Sequence, residues 1–281
     1  MDNLTHGAHI MTQPSVTLQT DTLKIFAIPA FNDNYIWLIN DTKAQQSWVV
    51  DPGDGHAVLD FLNNTNVAQL AGVLVTHHHA DHIGGINTLL AQMPDLAVYG
   101  LTTQRIPMVN CPVKAGDQIT LSPDFQLTVL DVPGHTNDHI AFYFEHPTAP
   151  ALFCGDTIFS SGCGRLFEGT PATMRNTMQQ LRELPPATKI YCAHEYTQAN
   201  LAFALAVEPE NTALQNKQHQ VDKLRQDGIP SIPTTLATEL ETNPFLRWDQ
   251  PSVIAAAIQQ GASNDAADTV FATIRHWKDN F

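Results

Sequence analysis

The apolar positions of this chain fall into two regimes. From Leu23 to about Cys192 they come in short runs closed by polar, Gly or Pro residues, a pattern that predicts strands. Tyr35–Ile39, Trp48–Val50, Val73–Val75, Leu127–Val132, Ala141–Phe144, Leu152–Cys154 and Lys189–Cys192 are such runs. Helical spacing interrupts them at His56–Leu62, Ile86–Met93 and Met174–Leu184. The last of these follows Thr170-Pro171, a cap with proline in the first turn. Strands mixed with surface helices predict a layered α/β or α+β architecture. Beyond His194 the strand signal disappears. Asn200–Val207, Thr212–Gln226, Ser252–Gln260 and Asp265–Lys278 carry helical spacing or good helix formers, with Pro230, Pro233, Pro244 and Pro251 between them. The expected organisation is a polar tail at 1–21, a mixed domain at 22–194 and a helical domain at 195–281.

Composition narrows the field. Among 281 residues, 43% are hydrophobic, enough for a sizeable core, and 28 acidic against 14 basic residues leave a formal charge of −14. Binding a polyanion requires clustered Lys and Arg, so a nucleic-acid surface is not expected. No run approaches the ~18 apolar residues of a membrane span. The N-terminus has no charged start followed by an apolar segment, as a secretory signal would, and no Lys or Arg before Lys24, as a transit peptide would. His6 and His9 in this tail are assigned no role. Cys111, Cys154, Cys163 and Cys192 lack CxxC spacing and sit in or beside apolar runs, which reads as reduced thiols in a cytoplasmic protein.

The chemistry concentrates where strands end. Thr76-His77-His78-His79-Ala80-Asp81-His82 begins as Val73–Val75 stops, and Gly84-Gly85 follows. Imidazole and carboxylate groups at alternate positions can converge on a metal ion from one turn, since neutral nitrogen and anionic oxygen both ligate divalent cations. His135 after Val132, Asp156 after Cys154 and His194 after Cys192 repeat the placement. An isolated histidine is ordinarily a surface or capping residue, and that reading holds for His56, His146, His219 and His276. His78 and His139 either orient ligands or pack. The combined set points to a metal site.

These residues resemble the metallo-β-lactamase superfamily, whose His-x-His-x-Asp-His signature stands at His77 to His82, with His135, Asp156 and His194 in the superfamily's order. The resemblance implies an α+β fold, a four-layer αββα sandwich with a C-terminal helical domain, and two divalent ions per chain. Zinc comes first, with iron or manganese as alternatives. His77, His79 and His135 would hold one ion and Asp81, His82 and His194 the other, with Asp156 bridging. Asp51 resembles a supporting acid.

More specific segments resemble glyoxalase II, a family of hydroxyacylglutathione hydrolases: Ile28 to Trp37, Gly162 to Thr170, Ala193 to Thr197 with Asn200-Leu201, Val207-Glu208-Pro209, and Asn243 to Arg247. This resemblance implies a monomeric enzyme that cleaves S-D-lactoylglutathione to glutathione and D-lactate in methylglyoxal detoxification, through water ionised between the ions. Asp81 and Asp156 would be the catalytic carboxylates. Arg165 and Arg247 would grip glutathione carboxylates and Tyr196 its peptide. Phe167 completes the substrate-binding set where some relatives carry tyrosine. Two arginines and two cations would answer the negative overall charge with a local cationic pocket. The alternatives are a one-iron persulfide dioxygenase of the same superfamily, which needs only part of the ligand set, a lactonase or nuclease, and a non-catalytic metal-binding protein.

Overall fold

The computed structural model describes residues 15–281. His6, His9 and the first fourteen positions of the expected tail lie outside the described residues. Residues 15–19, expected within that tail, instead form β1 (Ser15–Gln19), paired antiparallel with β2 (Leu23–Ala30). The short alternating run Val16-Thr17-Leu18 buries Leu18 alone, too weak a signal to stand out in sequence.

The first sheet has seven strands in chain order: β1, β2, β3 (Asn34–Asp41), β4 (Gln46–Val50), β5 (Gln69–Leu74), β6 (Ala97–Gly100) and β7 (Cys111–Pro112). Pairing is antiparallel as far as β4 and parallel beyond it. The parallel crossovers carry α1 (Gly55–Asn64), α2 (Ala80–Ile83) and α3 (Ile86–Gln92). Asp54 caps α1, its carboxylate accepting from the amides of His56 and Ala57.

The second sheet runs β15-β14-β11-β10-β9-β8. Its strands are β8 (Gln118–Ser122), β9 (Phe125–Asp131), β10 (Ile140–Phe144), β11 (Ala151–Gly155), β14 (Lys189–Cys192) and β15 (Thr234–Thr235). A small hairpin, β12 (Ile158–Phe159) with β13 (Gly162–Cys163), stands apart. The remaining helices are α4 (Pro171–Arg182), α5 (Thr197–Val207), α6 (Thr212–Gln226), α7 (Leu236–Thr242), α8 (Pro251–Gln259) and α9 (Ala267–Asp279).

Strand periodicity explains the layers. In β3 every residue is buried, yet the faces differ: Tyr35, Trp37 and Ile39 join the core between the sheets, while Ile36 and Leu38 face the α1 and α3 layer. Trp48 and Val50 against Val49 divide likewise on β4. Helix layers on both outer faces turn these near-continuous apolar runs into an αββα sandwich.

The C-terminal region is not packed as a separate body. Phe203, Phe245 and Phe271 belong to the same core as Met174 and the inter-sheet residues, and β15 adds an antiparallel strand to β14. That strand corrects the expectation that strands end at His194. Two threonines leave no readable period, and only the partner edge makes them a strand. Helix α7 was also absent from the sequence pattern. Thr235 caps it, accepting from the amide of Thr238.

Candidate metal centre

Four chain segments arrive at one rim of the sandwich. The segment after β5 carries His77 and His79 and then α2, with Asp81 and His82. The turn after β9 carries His135, the end of β11 carries Asp156, and the end of β14 carries His194. The sheets meet here: Ile140 donates to the Thr76 carbonyl at 3.0 Å and Tyr35 to the Ala193 carbonyl at 2.7 Å. Close approach demands glycine at several places, Gly53 and Gly155 among them. A Cβ on Gly53 would lie 1.8 Å from the Asp81 carbonyl oxygen, and one on Gly155, where φ is +48°, would lie 2.3 Å from Thr76 Oγ1.

The seven positions singled out in the sequence come together in two groups sharing one edge. His77, His79, His135 and Asp156 offer ligand atoms all within 4.8 Å of one another, and so do Asp81, His82 and His194. In the first group His79 Nδ1 lies 3.1 Å from His77 Nε2 and 3.0 Å from His135 Nε2, and Asp156 Oδ2 lies 3.4 Å from His135 Nε2. In the second, Asp81 Oδ2 lies 3.5 Å from His82 Nε2 and 3.3 Å from His194 Nε2. Asp156 Oδ1 joins the groups, 3.5 Å from His82 Nε2 and 3.4 Å from His194 Nε2.

In four of the five rings the opposite nitrogen decides which atom faces the centre. His82 Nδ1 bonds Asp51 Oδ2 at 3.0 Å, His194 Nδ1 bonds Asp33 Oδ1 at 2.8 Å, and His135 Nδ1 donates to the Arg165 carbonyl at 2.7 Å. His77 Nδ1 meets Thr76 Oγ1 at 3.0 Å, and that hydroxyl donates to Asp51 at 2.7 Å. Asp51 also accepts from the Thr76 amide at 2.8 Å, which holds it at a left-handed φ of +50°. Asn34 Nδ2 donates to Asp81 Oδ2 at 3.0 Å. His139, stacked on His77 at 4.5 Å, accepts from the Asp156 amide at 3.2 Å.

Electrostatics divides the rings. Burial holds His77 well below its ordinary pKa, and the neighbouring His82 and His139 push it the same way. Burial likewise opposes the charge on His82, but Asp156 and Asp51 outweigh it and lift the ring well above the usual range. Asp156 is held well below the usual carboxylate range: burial raises it, and His82 and His194 more than reverse the effect. His82 Nε2 and Asp156 Oδ1 are buried with no hydrogen-bond partner. Unpaired nitrogen and oxygen donors crowded around one space fit divalent cations, and the N/O donor set suits zinc, iron or manganese.

A cavity of about 650 Å³ opens onto the centre, with His79, Asp81, Asp156 and His194 at one end. Phe167, 61% exposed, sets its ring 5.6 Å from His79 and 5.2 Å from His135. Tyr196 stacks on His194 at 4.6 Å and 6°. Arg165 lines the wall, its guanidinium exposed and 3.7 Å from Asp279.

Arg247 does not reach this cavity, which corrects its expected place in the substrate grip. Its guanidinium makes two bonds to Glu208, at 2.8 and 2.9 Å, and one to the Leu240 carbonyl at 3.0 Å, beside a different hollow. The other cationic side chains that line the cavity at the centre are Arg275 and Lys278 on α9, with Asn200, Phe159 and Cys163 beside them; the Arg275 guanidinium is buried and bonded to Cys163 and Asp279. Sequence reasoning missed these, together with Asp33. Arg275 and Lys278 stand three apart on one helical face, but nothing local links that face to the histidines. His78 turns away from the centre towards Asp138 at 3.3 Å and Glu168 at 3.7 Å, both bonded by Arg105.

The family described as "Hydroxyacylglutathione hydrolase C-terminus" matches residues 195–281, and "Beta-lactamase superfamily domain" matches 48–180. Hydroxyacylglutathione hydrolase of Hahella chejuensis (strain KCTC 2396) is 49% identical over 259 residues, covering 92% of this chain and 99% of its own. The protein of the same description from Shewanella baltica (strain OS223) is 48% identical over 267 residues, covering 92% and 100%. Two solved structures share the fold. ETHE1 from Myxococcus xanthus has a TM-score of 0.57 at 22% identity, covering 87% of this chain and 93% of its own. BLEG-1 B3 metallo-β-lactamase has a TM-score of 0.57 at 19% identity, covering 80% and 99%.

Proposed function

Because the chain belongs to the hydroxyacylglutathione hydrolase family, we propose that it hydrolyses S-(2-hydroxyacyl)glutathione thioesters, S-D-lactoylglutathione first among them, to glutathione and a 2-hydroxy acid. The observation that carries this reading is a cavity lined by five of the seven metal-binding groups, His79, Asp81, His135, Asp156 and His194, and also by Arg165 and Lys278. The metal-binding groups suit acyl cleavage, and the cations suit the carboxylates of a tripeptide inside an acidic protein.

His77, His79 and His135 would hold one divalent ion and Asp81, His82 and His194 a second, with Asp156 shared; zinc fits the donor set. Two ions bound there would supply a water acidified towards neutral pH and a Lewis acid for the developing oxyanion. Asp81 Oδ2 and Asp156 Oδ1 face the middle of the site, where Asp81 can accept a hydrogen bond from the attacking water and so orient it. Phe167 and Tyr196 flank the acyl group, shielding it from bulk solvent. The leaving thiolate needs no acid, since thiols ionise near ~8.5 unaided. Lys278 would take a glutathione carboxylate in place of Arg247, and Arg165 the other.

All of these groups come from one chain, so a monomer suffices. The four free cysteines accord with a reducing cytoplasm. No helix among the described residues is long and apolar enough to cross a membrane. A one-iron persulfide dioxygenase would leave half of the donor set without a task.

The test joins metal analysis of the purified protein to hydrolysis of S-D-lactoylglutathione, followed as loss of thioester absorbance. Two ions per chain and chelator-sensitive turnover are expected. Turnover that survives complete metal loss defeats the proposal.

A further inference from the structure

A second polar cluster lies wholly buried outside the metal centre, and no chemical step uses it. Lys217 on α6 and Glu239 on α7 form an ion pair, Nζ to Oε1 2.6 Å, with side chains 9% and 0% exposed. Neither lines the substrate cavity. Both close instead on the tip of the β12–β13 hairpin. Lys217 Nζ donates to Ser161 Oγ at 2.9 Å, and Glu239 Oε2 accepts from the Ser161 amide at 2.7 Å. Thr242 Oγ1 accepts from Lys217 at 3.2 Å, and Thr234 Oγ1 donates to Glu239 at 2.7 Å. Asn243 Nδ2 bonds the same carboxylate at 3.0 Å and the carbonyls of Phe159 at 3.2 Å and Gly162 at 2.9 Å. Asn200 Nδ2 donates to the Ser160 carbonyl at 3.1 Å.

The hairpin so gripped connects two parts of the site. Asp156 stands two residues before it. Arg165 stands two residues after it and lends its carbonyl to His135. Between them Phe159 and Cys163 line the cavity, and Phe159 packs 5.2 Å from Tyr196. Ser161 at the tip has φ +56°, a backbone that persists in a non-glycine residue only where its surroundings over-determine it. Burying an ion pair contributes little net stability, because desolvation offsets the attraction. Its best-attested use is to specify register.

We infer that Lys217 and Glu239 are positioning residues that fix the β12–β13 hairpin, and with it the wall of Phe159, Cys163 and Arg165, in the register that binds the glutathione moiety. This rests on the thioester-hydrolase reading. The pair acts on substrate affinity through the hairpin, while Asp156 keeps its separate anchorage at His139.

Two variants test it, Lys217→Met and Ser161→Gly. The second removes the hydroxyl that Lys217 grips, suits the left-handed backbone and leaves the ion pair intact. Melting temperature, metal content, KM and kcat for S-D-lactoylglutathione, and the Kd of glutathione by calorimetry are read on each full-length protein. Both variants are expected to raise KM and the glutathione Kd by about fivefold or more, with kcat within about twofold and both metals retained, the signature of lost uniform binding. A change confined to melting temperature, or a drop in kcat at unchanged KM, overturns the positioning role. If Lys217→Met does not fold, Ser161→Gly carries the same two outcomes. Wild-type protein that leaves the thioester intact defeats the proposed function itself, whereas normal hydrolysis with unmoved KM in the variants defeats only the positioning role.

Discussion

His82 bonds Asp51 through Nδ1 at 3.0 Å and so turns Nε2, buried and unpaired, towards Asp156 Oδ1 at 3.5 Å. Asp51 never enters the cavity, yet it chooses the face that His82 offers and, through the Thr76 hydroxyl, the face of His77 as well. Asp51→Ala should therefore lower metal affinity by roughly 10–100-fold, with activity recovering in excess metal. Metal titration of the stripped protein, followed by hydrolysis, checks this. Unchanged affinity would show that the rings hold their tautomers unaided.

Asp156 touches both donor groups, and His79 lies at the middle of the first. His79→Ala or Asp156→Ala should reduce kcat/KM by about three orders of magnitude, near 4 kcal/mol of transition-state stabilisation, together with metal content. Elemental analysis beside steady-state kinetics decides. Normal turnover with both ions retained would remove these residues from the centre.

Lys278 and Arg247 should part company. Lys278→Ala should raise KM by roughly tenfold with kcat little changed, the expected result of losing one charge-assisted bond to a bound carboxylate. Arg247→Ala should leave KM nearly alone and destabilise the fold by about 3 kcal/mol, because Glu208, 2% exposed, would lose its partner. That corresponds to a fall in melting temperature on the order of 10 °C. The reverse pattern would return Arg247 to the substrate.

Loading the site should release protons. Burial opposes charge on His194, but ion pairing with Asp156, Asp33 and Asp81 lifts its pKa to about 11 in the ion-free fold. A raised pKa gives the ion-free protein stability that is complete below the unfolded value of ~6.5 and lost progressively as pH climbs towards 11. A metal ion must displace that proton, so apparent affinity should rise with pH across the neutral range. Calorimetry in buffers of differing ionisation enthalpy counts the protons. A count of zero at neutral pH would contradict the protonated ring.

Much of the centre was legible because its parts are local. Val73–Val75 running into His77–His82 pairs a buried strand with its terminal loop, and the same signal recurs before His135, Asp156 and His194. An apolar run tells where a strand ends, and the polar residue after it lands at the sheet's rim. The strand runs were legible for the same reason, but Tyr35–Ile39 is apolar throughout, and only the fold shows its alternate residues feeding two cores.

The sequence by itself therefore determined the strand runs, the helices with strong periodicity and the placement of seven donor groups at strand ends. Tertiary structure alone decided that Arg247 turns to Glu208, 39 positions away, that Asp33 orients His194 across 161 positions, and that α9 brings Arg275 and Lys278 to the cavity. It also made strands of Ser15–Gln19 and Thr234–Thr235, which need a partner edge to exist. The physical reason is range. Periodicity and capping act within a few residues and leave their mark in local spacing. A long side chain's partner and a short strand's edge are chosen by whatever the folded chain brings alongside.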